Sequence, residues 1–566
     1  MEASRERRDE GPLHRSYDIG RPSQAGRAWP ASVVAIRRGH GGIEMTVLGD
    51  SSGLVRCRPR SRSGIAALGA VCAVGALLAA AAACQPAAEG PPPPNVIVVV
   101  ADDLGYGDIS ANGSETIQTP HIDELAEMGV RLTDGYVSAA VCSPTRAGLF
   151  TGRVQSRFGY EYNPTANYAR GPDAELGLPL DQSTLGDLMR GAGYSTGLVG
   201  KWHLGALEQY HPINRGFDEF FGILGGGTSY IDSAKEGVHS WPGEISGDRT
   251  SAHNAREILD GFEVVKVEEY LTDVFAERAV DFIERHADER FFLMVTPNAP
   301  HTPIQATEEY VSRFPHIEGE GARIFAAMVA SVDDMVGDIV ATLRKHDLEQ
   351  DTLMVFLSDN GCINYAQDVI CTNAPLSGAK RYHLEGGVRV PFIVKWPAGL
   401  PPGAVYEQPA ISLDLYATFA AAAGMGPGQA ENPDSVNLLP YLRGEAEGAP
   451  HEFLFWRSAP NMSVRWGKWK LWKVDLTDLK QEDFPGGRLL PEVDYPPVSP
   501  HGQLTVLYDL SVDVGERENL ADAHPDIVAR LEAELAEWNA QLAEPLWTSR
   551  RSTIDELDGR TIQLYF

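Results

Sequence analysis

Residues 96–103 read VIVVVADD, a run of β-branched residues that ends in an alanine and two carboxylates. A short apolar run without polar alternation is typical of a strand buried on both faces. Similar runs occur at 196–199 (TGLV), 291–295 (FFLMV), 353–357 (LMVFL) and 390–394 (VPFIV). Helical patterns lie between them, at 121–130, 183–191, 274–286 and 326–346. Strands that alternate with helices predict an α/β sandwich with a mostly parallel sheet.

Four of these predicted strands are followed by polar residues that can bind ligands. They are Asp102 and Asp103, then Lys201 and His203, then His301, then Asp359 and Asn360. In open α/β sheets, sites lie at the carboxyl ends of the strands, so we expect these residues to converge. Three carboxylates and one amide suit a hard cation such as Ca²⁺. A lone acidic pair usually caps a loop or helix, but two pairs at strand ends favour a metal site.

The pattern changes after about residue 424. Residues 462–474 (MSVRWGKWKLWKV) and 504–510 (LTVLYDL) predict antiparallel strands. Residues 524–543 predict a helix with one apolar face, formed by Ile527, Leu531, Leu535, Trp538 and Leu542. We therefore predict a catalytic domain at 95–424 and a smaller C-terminal α+β domain at 425–566. The tryptophans at the predicted strands, Trp466, Trp469 and Trp472, favour domain packing over a ligand subsite.

The first hundred residues predict export. Residues 56–62 read RCRPRSR, and the uncharged run 64–83 leads to Cys84, which is typical of a secretory signal at 56–84. The AAAC ending resembles a bacterial lipoprotein box, which would make Cys84 a lipid anchor. Ordinary cleavage near Cys84 and a retained membrane anchor are the alternatives. The protein is expected in the periplasm or at the cell surface.

Two segments flank the predicted signal. Residues 85–94 form a proline-rich linker that suits a tether between membrane and domain. Residues 1–55 show no coherent pattern, so they are either disordered or precede a true start at Met45 or a nearby codon.

The formal charge of −30 is unevenly distributed. Residues 1–63 hold 12 Arg, no Lys and 7 acidic residues, so they carry +5 and the rest of the chain carries −35. A strongly acidic body argues against nucleic-acid binding and against anionic membrane surfaces. An anionic substrate therefore needs a local positive site. The oligomeric state leaves no signature in the sequence.

Cys142 opens the segment CSPTRAGLFTGR, residues 142–153. Pro144 suits a first helical position, so Cys142 is predicted at a helix N-terminus. That position favours anions, and Arg146 one turn later adds positive charge. An isolated cysteine is usually a small buried apolar residue, and a thiolate nucleophile is the second option.

This segment resembles the signature of the type I sulfatases, Cys-x-Pro-Ser-Arg followed by Thr-Gly-Arg, with Thr145 at the serine position. The resemblance extends from 95 to about 519, and it looks greatest for arylsulfatases and N-acetylgalactosamine sulfatases. Its further motifs are VADDLGYGD (100–108), TPHIDELA (119–126), GKWHLG (200–205), APHTP (299–303), SDNG (358–361), EGGVRVP (385–391) and LYDLSVDVGERENL (507–520). It implies a sandwich of the alkaline-phosphatase type with a small C-terminal domain.

The resemblance also implies a role for each site residue. A formylglycine-generating enzyme would oxidise Cys142 to formylglycine during export. Residue 142 would then hold Ca²⁺, in preference to Mg²⁺, together with Asp102, Asp103, Asp359 and Asn360. Arg146 and Lys201 would stabilise the charged hydrate of formylglycine, and His203 would be the base that regenerates the aldehyde. His301 and Lys380 would bind the sulfate and help to protonate the leaving oxygen. Lys380 stands in GAKRYHLEGG, where the family usually has Gly-Gly-Lys.

The activity that the resemblance implies is hydrolysis of sulfate esters in carbohydrates or aryl sulfates. One alternative is a phosphodiester or phosphonate hydrolase of the same superfamily. Another is a non-catalytic receptor for sulfated glycans, which should have lost site residues that are all present here. Residues 160–180 and 225–262 are expected to shape the substrate pocket.

A disulfide is predicted by counting cysteines. Cys57 and Cys72 precede the signal cleavage point, Cys84 is lipidated or removed, and Cys142 is converted. Cys362 and Cys371 remain, in an oxidising compartment. Two buried free thiols are the alternative.

Overall fold

The computed structural model describes residues 34–39, 42–47, 91–164, 175–241, 257–363, 370–426, 432–478, 480, 502–549 and 551–566. The chain divides into two units, Met1–Ala88 and Glu89–Phe566. In the first unit, strands Val34–Gly39 and Gly42–Val47 form an antiparallel hairpin, which the sequence pattern did not predict. The predicted signal and residues 85–90 of the linker lie outside the described residues. Among the helices of the described part, none is long and apolar enough to cross a membrane.

A ten-stranded sheet, here called the central sheet, organises the second unit. Its strands in spatial order are Glu263–Val265, Ile258–Asp260, Glu219–Ile223, Ser195–Lys201, Phe291–Thr296, Asn95–Ala101, Thr352–Ser358, Phe392–Lys395, Val130–Leu132 and Ala404–Tyr406. The run from Glu219–Ile223 to Thr352–Ser358 is parallel throughout. All five apolar runs picked from the sequence are confirmed as strands, and so is the predicted mostly parallel sheet.

The strand predicted at 390–394 differs from the other four. It begins at Phe392, directly after Pro391, which has no N–H to contribute to a ladder. It also runs antiparallel to its neighbour Thr352–Ser358. Apolar content alone predicts a strand but not its direction.

Helices cover both faces of the central sheet. Ile97 and Val99 pack into one core, with helices Leu271–Arg285 and Glu320–Lys345. Val96, Val98 and Val100 of the same strand pack into the opposite core, with helices that include Cys142–Thr151 and Asp414–Ala422. Successive strand residues point to opposite faces, so a strand with two buried faces has no polar alternation.

The predicted helices are confirmed, with shifted ends. They are Pro120–Glu127, Leu185–Gly191, Leu271–Arg285, Glu320–Lys345 and Pro525–Asn539. The remaining α-helices among the described residues are Cys142–Thr151, Glu308–Val311, Glu385–Val388, Asp414–Ala422 and Leu439–Leu442. Two small strand pairs join Val238–Trp241 to Ile304–Thr307 and Gly135–Tyr136 to Ala410–Ile411.

A second, antiparallel sheet, here called the C-terminal sheet, has six strands. They are Phe453–Ser458, Asn461–Trp466, Trp469–Leu476, Gln503–Asp509, Ser552–Leu557 and Arg560–Tyr565. Helix Pro525–Asn539 buries Leu531, Leu535 and Trp538, as predicted, while Ile527 and Leu542 pack at the edge of the same core. Trp472 is buried, and Trp466 and Trp469 pack against the core under this helix. Both sheets lie in one compact unit, so the boundary at 424–425 stays a prediction.

Candidate active site

The carboxyl ends of four adjacent parallel strands bring the predicted residues to one edge of the central sheet. In spatial order, these strands lead to Lys201 and His203, to His301, to Asp102 and Asp103, and to Asp359 and Asn360. Asp103 and His203 have positive φ angles of 65° and 62°. Non-glycine residues rarely adopt this conformation, and functional sites often contain it.

Cys142 is the first residue of helix Cys142–Thr151, so the predicted helix N-terminus is present. The helix begins two residues before Pro144, which therefore lies inside the first turn rather than at its start. The ring is tolerated there because N–H groups of a first turn have no partner within the helix. The buried Sγ of Cys142 lies 3.4 Å from Asp102 Oδ1 and 3.7 Å from Asp103 Oδ1.

Three buried ion pairs surround this thiol. Lys201 Nζ lies 2.5 Å from Asp102 Oδ2, Lys380 Nζ lies 2.6 Å from Asp103 Oδ1, and Arg146 contacts Asp359 Oδ2 through Nε and Nη2 at 2.9 Å each. Lys380 Nζ also donates to Cys142 Sγ at 3.0 Å. The three charges of each sign balance, and a bound divalent cation would leave the site positive. That would supply the local positive charge that an anionic substrate requires in an acidic protein.

The pKa values of the acidic groups diverge. Burial raises the pKa of Asp102, but the charges of Lys201 and its other cationic neighbours outweigh burial, so this pKa lies below its usual range. Burial also raises the pKa of Asp103, but the charge of Lys380 outweighs burial, so this pKa is lowered as well. Burial, reinforced by the Asp102 charge, raises the pKa of Asp359 to about 6.

Cys142 is buried, and this burial, followed by the charge of Asp359, raises the pKa of its thiol against the opposite effect of the lysines. A thiolate nucleophile needs some exposure, which this side chain lacks. Burial therefore disfavours the thiolate option that the sequence left open.

Asn360 provides the test of whether a cation fits. Its Nδ2 donates to Asp103 Oδ1 at 2.7 Å and to Gly361 O at 2.9 Å, which fixes the orientation of the amide. Its Oδ1 is buried and has no hydrogen-bond partner in the described part of the chain. An unpaired buried carbonyl is costly, and a cation on that side would satisfy it. The residues present therefore fit a hard divalent ion.

The structure also brings His301 within reach of this ion site. Asp102, Asp103, Cys142 and His301 offer ligand atoms that all lie within 4.8 Å of one another. Nδ1 of His301 donates to the carbonyl of Thr302 at 2.7 Å, and Nε2 lies 3.6 Å from Asp103 Oδ2. Burial lowers the pKa of His301 to about 4, against the opposite effect of Asp103.

His203 is linked to the site through its backbone. Its carbonyl accepts a hydrogen bond from the Ser143 hydroxyl at 2.6 Å, next to Cys142. Its imidazole faces Gly226, where an added Cβ would come within 2.6 Å of Nε2. The absence of a side chain at Gly226 therefore makes room for this ring.

Ser143, Tyr160 and Asn163 belong to the site, and the sequence did not single them out. Besides its bond to His203, the Ser143 hydroxyl lies 2.8 Å from the Tyr160 hydroxyl. The Ser143 N–H donates to Asn163 Oδ1 at 3.0 Å. Their only sequence signal is position, because Ser143 follows Cys142 and the other two lie in the stretch 160–180.

A disulfide braces the loop after Asn360. Cys362 and Cys371 are bonded, as the cysteine count predicted. The carbonyl of Cys362 accepts a hydrogen bond from the Lys380 N–H at 3.0 Å. The bridged loop therefore connects one predicted metal ligand, Asn360, to the backbone of Lys380.

Comparison with known proteins agrees with this geometry. Residues 94–425 match the family model described as Sulfatase. N-acetylgalactosamine-6-sulfatase of Mus musculus is 31% identical over 449 residues, which cover 76% of this chain and 83% of the relative. Steryl-sulfatase of Rattus norvegicus is 32% identical over 424 residues, covering 63% and 71% of the two chains.

A solved structure of Ps i-CgsB in complex with k-i-k-neocarrahexaose has a TM-score of 0.67 and 31% identity. The match covers 80% of this chain and 94% of that one. The breadth of these matches leaves one assignment: the chain belongs to the sulfatase family, the type I sulfatases, and is a sulfuric ester hydrolase.

Proposed function

We propose that this protein hydrolyses sulfate esters of saccharides, with formylglycine at position 142 and a bound Ca²⁺. The observation that carries the proposal is the setting of Cys142. Its thiol is 1% exposed, yet it lies beside three ion pairs and the unpaired oxygen of Asn360. A buried thiol is a poor nucleophile, so conversion of the residue to formylglycine would give this site the nucleophile that its charges surround.

Formylglycine, once hydrated, supplies one hydroxyl that attacks sulfur and a second whose deprotonation expels sulfate as the aldehyde re-forms. The residues around it supply charge. Arg146, Lys201 and Lys380 are buried donors, and fixed charges in buried surroundings stabilise developing negative charge more effectively than charges in water. An alcohol at position 142 would remain trapped as a sulfate ester.

The two histidines would transfer protons. His301 is neutral at pH 7, and the negative charge of a bound sulfate ester would raise its pKa, which suits a donor to the leaving oxygen. His203 would act as the base toward the hydrate at position 142. Its carbonyl is tied to Ser143, so its backbone is fixed next to the reacting residue.

Asp102, Asp103, Asp359 and Asn360 would hold the cation, with an oxygen of formylglycine as the further ligand. All of these ligands are oxygen atoms, a set that favours Ca²⁺ over transition metals. The cation would supply charge stabilisation for the sulfonyl oxygens.

Maturation would precede folding. Every residue of helix Cys142–Thr151 is buried, so a formylglycine-generating enzyme has no access to Cys142 in the folded protein. This fits an exported protein that is modified in transit, to the periplasm or cell surface. The signal at 56–84 and a lipid anchor at Cys84 remain parts of this proposal.

The substrate class rests on the relatives. One acts on N-acetylgalactosamine 6-sulfate by its name, and a neighbour was solved with neocarrahexaose. A sulfated saccharide is therefore the proposed natural substrate, with aryl sulfates as usable surrogates.

The test is a screen of defined sulfated saccharides, an aryl sulfate and an aryl phosphodiester, using protein from a host that matures sulfatases. We expect turnover of at least one saccharide sulfate and of the aryl sulfate, with Cys142→Ala inactive. Preferred turnover of the phosphodiester would favour the rival hydrolase. Tight binding of sulfated glycans without turnover would favour a receptor.

A further inference from the structure

A second buried charge cluster joins the C-terminal sheet to helix Glu385–Val388. Lys470, on strand Trp469–Leu476, lies 2.7 Å from Glu385 Oε1, and both side chains are fully buried. Glu516 Oε1 lies 3.4 Å from the same Lys470 Nζ, and its Oε2 accepts the backbone N–H of Glu385. Two groups from the central-sheet side, Tyr136 and Arg389, bond the other oxygen of Glu385 at 2.6 and 3.1 Å.

The residues after Glu385 pack against the active-site loops with no room for side chains. Gly387 O accepts the N–H of Gly361 at 3.2 Å, and a Cβ at Gly361 would overlap Gly386 O. Gly361 directly follows the predicted metal ligand Asn360. The other side of this turn packs against Ala379, the residue before Lys380. A Cβ added at Gly387 would come within 2.6 Å of the Ala379 carbonyl oxygen.

The turn is therefore a wedge between the Asn360 loop and the Lys380 loop. The C-terminal part of the chain anchors it through two charged side chains in the described structure, Lys470 on the Glu385 carboxylate and Glu516 on the Glu385 N–H. We infer that Lys470 is a positioning residue: by holding Glu385, it fixes the Asn360 amide and the Lys380 ammonium at the catalytic centre. This inference rests on the proposed function, since it assigns Asn360 to the cation and Lys380 to the sulfate.

The geometry allows Lys470 to be removed without leaving Glu385 unpaired. Arg389 and Tyr136 would still bond the second carboxylate oxygen. The wedge would lose one anchor and move, while the remaining partners keep the Glu385 carboxylate hydrogen-bonded. Glu516 would lose its ion pair with Lys470, so a loss of stability is expected together with the positioning defect.

The test compares Lys470→Met with Lys473→Met in the full, matured protein. Lys473 lies on the same strand but is 25% exposed and pairs with Glu532 at 2.5 Å, so its removal is a matched charge control. We expect Lys470→Met to lower kcat and Ca²⁺ affinity by about 10- to 100-fold, with a smaller change in KM. Lys473→Met should leave both within about twofold, as expected for a surface pair. Normal kcat and Ca²⁺ affinity in folded Lys470→Met would overturn the inference.

A second variant separates positioning from stability. Lys470→Met combined with Glu385→Gln also removes the carboxylate that lies nearest to Lys470, and it should recover much of the melting temperature. The inference predicts that kcat and Ca²⁺ affinity stay low in this double variant, and that Lys470→Arg recovers both in part. Full recovery by the double variant would mean that the pair is only structural.

Ca²⁺ affinity is measured by titration of the metal-free protein and needs no substrate. An inactive wild-type protein would therefore count against the proposed function, whereas unchanged Ca²⁺ binding in Lys470→Met would count against this inference alone.

Discussion

Two buried charge clusters in the described structure contain equal numbers of acidic and basic side chains but differ in their roles. The strand-end cluster joins Asp102, Asp103 and Asp359 to Arg146, Lys201 and Lys380. The Glu385 cluster joins Asp134, Glu385 and Glu516 to Arg389, Arg465 and Lys470. Each contains three acids and three bases, so charge balance does not tell a catalytic centre from a structural one.

Backbone strain does not separate the clusters either, since Glu516 has a φ of 49° and Asp103 one of 65°. The difference lies in what remains open. The strand-end cluster surrounds a buried thiol, and His301 gives it a partly exposed side. Within the described residues, each cluster holds a buried acceptor without a hydrogen bond, Asn360 Oδ1 in the first and Glu516 Oε1 in the second, but Glu516 Oε1 lies 3.4 Å from the Lys470 ammonium. The buried thiol and the partly exposed side therefore separate the two clusters, whereas an open acceptor does not.

The largest expected effect comes from substitution of Cys142, the residue at the centre of the strand-end cluster. Cys142→Ala should abolish sulfate-ester turnover, because no other residue there can form the hydrate, and it should leave the melting temperature nearly unchanged. Turnover and a thermal scan of the same preparation provide the measurement. Cys142→Ser should accumulate protein that is heavier by one sulfate, visible by mass. Residual turnover of Cys142→Ala near the wild-type rate would refute the mechanism.

The next largest effect is expected from loss of the cation that the strand-end cluster would hold. Asp103→Ala or Asp359→Ala should remove activity and the thermal stabilisation that Ca²⁺ gives, because the remaining ligands cannot hold a hard divalent ion. Prolonged chelation of the wild type should have the same result, reversed by Ca²⁺. Exposed Asp347→Asn is the control and should respond to Ca²⁺ normally. Full turnover by metal-free protein would contradict the assignment of the acidic residues.

The next prediction concerns the loop that is bridged by Cys362 and Cys371 and follows the predicted metal ligand Asn360. Cys362→Ser should lower the free energy of unfolding by about 2.7 kcal/mol from chain entropy alone. It should also weaken Ca²⁺ retention, because the bridged loop leads from Asn360 to Lys380. Denaturant unfolding and Ca²⁺ titration of the variant test both effects. Labelling of both cysteines in denatured, unreduced protein would show that no bridge exists.

A further effect is the pH dependence of stability that Glu516 gives the Glu385 cluster. Burial, helped by the charge of Glu385, raises the pKa of Glu516 to about 8 against the opposite effect of Lys470. The folded state then keeps a proton that the unfolded state loses near pH 4.5, so this group lowers stability as pH rises from about 5 to 8. The slope is at most about 1.4 kcal/mol per pH unit.

Glu516→Gln cannot titrate, and its stability relative to the wild type should improve steadily across that range. Glu385 does not contribute to the slope, because its lowered pKa leaves it ionised in both states above pH 5. Parallel stability profiles of the two proteins would show that Glu516 is ionised throughout.

The strand-end cluster was predictable because its members follow apolar runs. Runs such as 96–100 show buried strands by their missing alternation, and parallel strands bring their carboxyl ends together. The approach of Arg146 and Lys380 to Asp359 and Asp103 was not readable from periodicity and came from family resemblance. Ser143 and Tyr160 were missed because one hydroxyl contact across 17 residues leaves no pattern.

The Glu385 cluster was not predictable at all. Glu385 and Lys470 are 85 residues apart, and Glu385 lies on helix Glu385–Val388 whereas Lys470 lies on a strand of the C-terminal sheet. A single charged residue in a predicted strand is normally interpreted as an exposed side chain. Lys470 is buried because Glu385, from a distant part of the chain, forms an ion pair with it. Polar pairs between distant elements depend on how those elements pack against each other, which local sequence does not encode.

The most direct test of the account is the mass of the peptide that contains residue 142, taken from protein with measured sulfatase turnover. The account predicts an aldehyde at position 142, in a fraction of molecules that rises in proportion to specific activity across preparations. Full activity in protein whose residue 142 is an unmodified cysteine would contradict it.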